Sequence, residues 1–312
     1  MLSPARRRLL TGAGAWLPAP FVMWSAFRFI AGDRRWELVL LAVVVPLLAY
    51  GSVKSKHLFD GLYPIGLLGL VYDAMRFVKN VGLTPERVHV CDLREIDMRI
   101  ASVEIDGVRV SVHDWLQSHA SLAIDVLAAV PYGIFIYIVL AFAVFLYVKD
   151  YPRMRRFGWI FLLVNLAGFA TYHAYPAAPP WYFHAHGCVV DLAAHASEGP
   201  NLARVDALLG VSYFASMYGR SSDVFGAVPS LHVAYPMLVV LFGWRLFGVT
   251  ARAASLLFLA SMCFAAVYLD HHWITDIIVG LAYTVAIYAA LESLVRYRSK
   301  RAVSPFSPAV VS

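Results

Sequence analysis

Apolar runs of bilayer-crossing length recur along the whole chain, and they constrain the fold more than any other feature. Trp36–Ser52 holds one charge, Glu37, and Leu122–Val148 holds only Asp125. Phe157–Tyr175, Ala253–Leu269 and Ile277–Leu291 hold no Asp, Glu, Lys or Arg. Leu58–Val78 carries Asp60, Asp73 and Arg76, and Val233–Gly248 carries Arg245 near its end. With their flanks, most of these runs approach the ~20 residues that a ~30 Å hydrocarbon core demands. Backbone groups in lipid must be paired within their own segment, so the runs are helices. Of the 312 residues, 60% are hydrophobic and 15% charged. A soluble fold of that composition would expose large, association-prone apolar patches. Disorder, a coiled coil, a disulfide scaffold and a nucleic-acid binder on a soluble core are excluded on the same grounds.

The expected class is all-α: a polytopic membrane protein with a six-helix transmembrane core and one or two extra N-terminal helices. Residues 1–35 form an N-terminal segment, 36–296 a transmembrane catalytic domain and 297–312 a cytoplasmic tail. Within the first segment, Leu9–Ile30 has two prolines and Arg28, so spanning and interfacial placements both stay open.

The net charge of +6 would suggest nucleic acid in a soluble protein, but its placement suggests a membrane. Arg6, Arg7 and Arg8, then Lys54 and Lys56, then Lys149, Arg153, Arg155 and Arg156, then Arg296, Arg298, Lys300 and Arg301 form four clusters. Alternating spans put all four on one face, the cytoplasmic one. Read this way, Arg6–Arg8 is a cytoplasmic cap rather than a twin-arginine export signal. The segments 80–121, 176–229 and 271–275 then face outward. The first of these has four basic residues against seven acids, which agrees with that side. Val103–Val112 alternates around Asp106-Gly107, a hairpin signal. Cys91 and Cys188 share the outward face, and a disulfide or two free thiols are both open readings.

Ionisable groups at membrane depth are costly, so they mark function. Two clusters meet on the outer face. In Phe225-Gly-Ala-Val-Pro-Ser230-Leu-His232, Ser230 and His232 open a span, where free amides and the helix dipole favour an anion. A capping serine and an interfacial histidine would look the same. In Tyr268-Leu-Asp-His271-His272-Trp-Ile-Thr-Asp276, the four-residue spacing puts His272 and Asp276 on one helix face. The carboxylate can then hold the Nδ1 proton and leave Nε2 as nucleophile or base. A buried ion pair is the plain alternative. His232, His271, His272 and Asp276 are also zinc-ligand types, but the spacing is not H-E-x-x-H and no glutamate base adjoins them. No metal or other cofactor is expected.

Pro229-Ser230-Leu231-His232 followed by His272-x-x-x-Asp276 resembles the type 2 phosphatidic acid phosphatase superfamily. Tyr175-Pro-Ala-Ala-Pro-Pro-Trp181-Tyr182, Leu202-Ala-Arg204-Val-Asp206-Ala-Leu-Leu-Gly210, Phe225–His232, Tyr268–His272 and Asp125–Gly133 resemble its fungal inositol phosphorylceramide synthase branch. The similarity runs from about Trp36 to Leu291. It implies a six-helix core with the active site at the outer face. It further implies His272 as the phosphoryl-accepting nucleophile, Asp276 as its orienting group and His232 as acid and then base. In those synthases a phosphoinositol head group passes from phosphatidylinositol to ceramide, releasing diacylglycerol.

Two departures bear on substrate. The phosphatase branch has an arginine six residues before the nucleophilic histidine, and Ala266 stands there. Its Lys-x6-Arg-Pro motif belongs at the outer end of the third core helix. Here Thr171–Pro180 has neither Lys nor Arg, and Lys149-x6-Arg156 lies in a cytoplasmic loop. A monoester dianion needs several cations, whereas a phosphodiester carries one charge. The reduced cation set therefore suits a diester. Arg204 and Arg220 are the candidates for the remaining charge, with His271 as a further donor and Ser230, Asp73 and Arg76 as other substrate-binding residues. Trp181 and Tyr182 suit an interfacial aromatic belt.

The leading expectation is a membrane transferase with a phospholipid donor, such as phosphatidylinositol, and a lipid-alcohol acceptor, such as ceramide. A lipid phosphate phosphatase, with water as acceptor, and a non-catalytic lipid-binding scaffold or transporter are the rivals. Nucleic acid is not a partner. An Ala/Arg-rich composition points to a bacterial inner membrane with the site facing the periplasm; in a eukaryote it would face the lumen.

Overall fold

The computed structural model of the protein describes residues 13–194, 201–218 and 223–303. Arg6, Arg7, Arg8 and Arg220 lie outside them, as do the side chains of Lys300 and Arg301. The α-helices are α1 (Ala19–Ile30), α2 (Trp36–Tyr50), α3 (Val53–Val78), α4 (Cys91–Ile100), α5 (Val112–Ser118), α6 (Leu122–Lys149), α7 (Tyr151–Ala174), α8 (Pro180–His186), α9 (Leu202–Leu209), α10 (Tyr213–Tyr218), α11 (Leu231–Gly243), α12 (Val249–Tyr268) and α13 (Ile274–Val303). Among the described residues, α3, α6, α7, α12 and α13 are long and apolar enough to cross a membrane. α2 and α11 are shorter apolar helices. The protein is an all-α polytopic membrane protein. With 12 residues, α1 reaches about 18 Å, well short of a ~30 Å core.

The chain divides into two compact units. One comprises Met1–Gly82 and Tyr137–Leu162, the other Leu83–Ile136 and Leu163–Ser312, so α6 and α7 contribute to both. In the first, Phe21, Val45, Ala49 and Phe59 form a buried cluster. α3 begins at a capping box in which Ser52 and Ser55 satisfy each other's amides.

The second unit carries the segments expected to face outward. Ala128, Tyr132 and Phe135 of α6 pack with Leu202, Val205, Phe214, Val233, Met262, Ala265 and Ala266 in one apolar cluster. The expected hairpin is present: β1 (Ser102–Ile105) pairs antiparallel with β2 (Val108–Ser111). Its turn residues Asp106 and Gly107 both have positive φ, 51° and 77°, as a two-residue turn of the right twist requires. Ser111 and Asp114 then form the capping box that starts α5. Cys91 and Cys188 form a disulfide, tying the start of α4 to the segment after α8. Backbone bonds join three separate segments side by side. His89 N–H donates to Pro176 O and Ala178 N–H to His89 O, while Ala177 N–H donates to Phe225 O and Ala227 N–H to Ala177 O.

Candidate active site

Ser230 is the N-cap residue of α11, but its side chain makes no capping bond. Its amide donates instead to Asp276 O at 2.9 Å. Its Oγ is buried with no partner among the described residues, so the capping reading of this serine does not hold. A buried hydroxyl without a partner is costly unless a ligand satisfies it. The close approach depends on Gly280, where a Cβ would sit 2.3 Å from Ser230 O. Gly280→Ala is therefore expected to push α13 away from α11. The cost is about 1–3 kcal/mol of stability, with a loss of activity that exceeds the loss of folded protein. Thermal unfolding and specific activity, measured together, check this.

His232 sits in the first turn of α11. Its Nδ1 is 2.9 Å from His272 Nε2. The ring stacks on Tyr132, with centroids 4.7 Å apart. His272 Nδ1 is 3.0 Å from Ala227 O and 3.4 Å from Asp276 Oδ2. Both of these are acceptors, so Nδ1 carries the proton and Nε2 the lone pair, a tautomer assigned from the partners. Nε2 then accepts from His232 Nδ1–H. Burial pushes the His272 imidazole down to about 4; the Ala227 bond opposes this and the charge of His113 adds to it. The ring is neutral at physiological pH, as a nucleophile must be.

The helix-face expectation needs one correction. α13 begins at Ile274, so His272 lies in the loop before it. Asp276 Oδ2 accepts the Trp273 amide at 2.9 Å. An acid at the third helical position that reaches back to the N-cap amide is half of a capping box, and it starts the helix after His272. Proximity survives because the loop folds back onto the first turn.

That loop is held on all sides. Asp270 adopts φ 58°, a left-handed conformation that Asp tolerates better than most residues. Trp181 N–H donates to Asp270 O at 3.0 Å. The Trp273 indole donates to Ala178 O at 2.8 Å and Gln117 Nε2 to Tyr268 O at 2.8 Å. Asp97 Oδ1 accepts the Thr275 amide at 3.0 Å. The carbonyl of Ala266 accepts the amides of His271 and His272 at 3.1 and 3.0 Å. Its methyl group is buried in the apolar cluster, where the phosphatase branch has its arginine. Gln117, Asp97, His113 and His184 were not among the expected functional residues. Their partners around the histidine loop are 86 to 178 positions away in the chain, too far for any local spacing to signal.

The structure brings Ser230, His232, His271, His272 and Asp276 together. His271 is buried, its ring edge-on to Tyr132 at 4.8 Å. Arg204 Nη2 bonds Asp125 Oδ1 at 3.0 Å, and Asp125 also accepts the Tyr268 hydroxyl at 2.8 Å. Arg204 thus braces the start of the histidine loop. Asp73 and Arg76 belong to the first unit and pair with each other, and Asp73 also accepts from Trp24, Arg28 and Arg35. Arg220 lies outside the described residues. Tyr182 does not suit an aromatic belt: it is fully buried, packed on Phe225, with its hydroxyl accepting the Asp191 amide. Among the described residues, no three His, Cys, Asp or Glu side chains converge as metal ligands.

The PAP2 superfamily model matches residues 101–290, which contain both histidine clusters. The chain belongs to the PAP2 superfamily. Among curated relatives of this PAP2 protein is the phosphoinositol dihydroceramide synthase of Bacteroides thetaiotaomicron, 33% identical over 80% of the chain and 81% of the relative. The inositol phosphorylceramide synthase of Candida albicans is 38% identical over 53% of the chain and 35% of the relative. The Schizosaccharomyces pombe inositol phosphorylceramide synthase catalytic subunit is 32% identical over 55% and 41%. The chain thus spans less than half the length of these two fungal relatives. No solved structure matches.

Proposed function

We propose that this PAP2 protein is a membrane phosphotransferase that moves a phosphoinositol head group from phosphatidylinositol to a ceramide-type lipid alcohol. The observation that carries the chemistry is the 2.9 Å contact between His232 Nδ1 and His272 Nε2. A neutral nucleophile and a proton donor face the same point, and Asp276 and Ala227 O hold the far side of the nucleophile. The donor phosphorus enters against His272 Nε2. A P–N bond forms, the P–O bond to diacylglycerol breaks, and His232 gives its Nδ1 proton to the departing alkoxide. In the second half, His232 takes the proton of the acceptor hydroxyl. That oxygen attacks phosphorus, and the P–N bond breaks. In this reading Ser230 Oγ and the first-turn amides of α11 hold the phosphoryl oxygens, which the lack of another partner for Ser230 Oγ among the described residues supports.

The relatives' names support transfer over hydrolysis, and so does the charge of the site. Ala266 replaces an arginine of the phosphatase branch, and Arg204 is engaged by Asp125. A singly charged diester needs less compensation than a monoester dianion. The Cys91–Cys188 disulfide supports an oxidising compartment for the outward segments, and hence a site on the periplasmic side of a bacterial inner membrane.

The test is a thin-layer assay of the detergent-purified protein with head-group-labelled phosphatidylinositol, with and without ceramide, and in parallel with labelled phosphatidate. The expected result is a new labelled lipid that depends on ceramide. Free phosphate from phosphatidate, with phosphatidylinositol untouched, would overturn the reading.

A further inference from the structure

Outside the His232–His272 pair, six ionisable side chains form an unbroken line that ends on the histidine loop. Arg94 Nη2 lies 3.1 Å from Asp114 Oδ2, and Asp114 Oδ1 lies 2.9 Å from His184 Nε2. His184 Nδ1 lies 2.8 Å from Asp270 Oδ2, and Asp270 Oδ1 lies 3.2 Å from His113 Nδ1. His113 Nε2 lies 3.5 Å from Asp97 Oδ2, an ion-pair contact in which neither atom has a hydrogen-bond partner among the described residues, and Asp97 Oδ1 accepts the Thr275 amide. α4 contributes Arg94 and Asp97, α5 contributes His113 and Asp114, α8 contributes His184, and the loop contributes Asp270. The inner end is sealed from solvent, with the side chains of His113 and Asp97 both at 0% exposure.

The order of charges in this line is diagnostic. Cation and anion alternate throughout, provided both histidines are charged. Each imidazole has a carboxylate oxygen opposite both of its nitrogens. A neutral ring has one nitrogen lone pair, which would face carboxylate lone pairs; only the imidazolium presents N–H on both sides, to two hydrogen bonds at His184 and to one hydrogen bond and one ion-pair contact at His113. Three cations then balance three anions. Removing one proton leaves buried carboxylates undercompensated, a costly state.

We propose that His113 and His184 are positioning residues, imidazolium bridges that lock Asp270 to α4, α5 and α8 and so hold the loop that carries His271 and His272. This rests on the reading of His272 as nucleophile. His113 also packs edge-on against Trp273, the residue after His272, with centroids 5.1 Å apart. The ionisable groups around the bridges are Arg94 and Asp97 of α4, Asp114 of α5, Asp270 and His272 of the loop, and Asp276 of α13.

Burial pulls the His113 imidazole down, but its bond to Asp270 and the Asp97 carboxylate beside it outweigh this and raise it to about 9. His184 is raised too, first by its bond to Asp270. Both shifts are upward, so the folded state holds these protons more tightly than the unfolded chain does. The lock is complete below the ordinary histidine range and is lost as pH rises through about 9 for His113.

The test uses the full-length protein with its disulfide intact and the ceramide-dependent transfer assay, run across alkaline pH with kcat and KM separated. The wild-type kcat is expected to fall above about pH 9, with KM unchanged. His113→Gln keeps a polar side chain without the charge. Its kcat at neutral pH is expected to drop about 10–100-fold, the scale of a small misplacement of reacting groups. Its KM stays within about twofold and its alkaline limb disappears. Asp97→Asn removes one of the two anions that hold the proton, and the limb is expected to move to lower pH by about one unit or more. His113→Gln with the wild-type limb, or Asp97→Asn with the limb unmoved, overturns the proposal. Should His113→Gln not fold, Asp97→Asn decides alone. Failure of the nucleophile reading looks different: His272→Ala would stay active, whatever the alkaline limb does.

Discussion

His272→Ala protein is expected to form no ceramide-dependent product, with transfer reduced by at least about three orders of magnitude. The expectation follows from the proton inventory around the ring. Nδ1 is committed to Ala227 O and Asp276, and burial keeps the ring neutral, so Nε2 keeps a lone pair that turns from the His232 N–H to phosphorus when substrate enters. Alanine removes the atom proposed to accept phosphorus while leaving the amide bond to Ala266 O, and hence the loop path, intact. A trapping experiment makes the result specific. Incubated with inositol-labelled donor and no acceptor, the wild-type protein should carry label that survives alkali and is lost in acid, as a phosphoramidate does. His272→Ala should carry none. Asp276→Asn should still carry label, but more slowly, because asparagine can keep the acceptor contact to Nδ1 while losing the charge that stabilises the developing imidazolium. Product formation by His272→Ala at more than a few per cent of wild type would sink the covalent scheme.

The parts of this protein that could be read from its sequence are those governed by one dominant constraint. Lipid demands internally bonded helices, so α3, α6, α7, α12 and α13 were visible as apolar runs with few or no charges. The Asp106-Gly107 hairpin was visible because only a few residue pairs accept two consecutive positive φ values. His232, His272 and Asp276 were visible because chemically capable groups are rare at the ends of apolar runs. What stayed hidden was set by long-range pairing. Nothing near His113 announces that it meets Asp270, 157 positions away. The acidic segment 80–121 was read only as outward-facing, yet its Asp97 and Asp114 end on the histidine loop and its brace. For Ser230 a phosphate-binding role and a helix cap both fit the sequence, because its position in the chain suits either. Its hydroxyl is left over because Gly280 lets α13 come close enough for the Ser230 amide to bond Asp276 O instead.

His232→Ala is expected to slow transfer by about 10²–10⁴-fold, the usual contribution of a positioned acid or base. It should do so in a way that depends on the leaving group. In the proposed first half-reaction His232, whose Nδ1 faces His272, has one task, to protonate the diacylglycerol alkoxide. A donor in which nitrophenol replaces diacylglycerol leaves as a stable anion and needs no proton. With that donor, His232→Ala should release nitrophenolate at a rate within about tenfold of wild type and should accumulate labelled protein. The second half-reaction has no such escape, because the acceptor hydroxyl must still lose its proton. Adding ceramide should therefore clear the label quickly from wild-type protein and slowly from His232→Ala. Equal losses on the two donors would show that His232 acts on something common to both, such as the orientation of His272, whose Nε2 it contacts directly. The comparison thus separates a proton-transfer role from a positioning role for the same side chain, which no measurement on the natural donor alone can do.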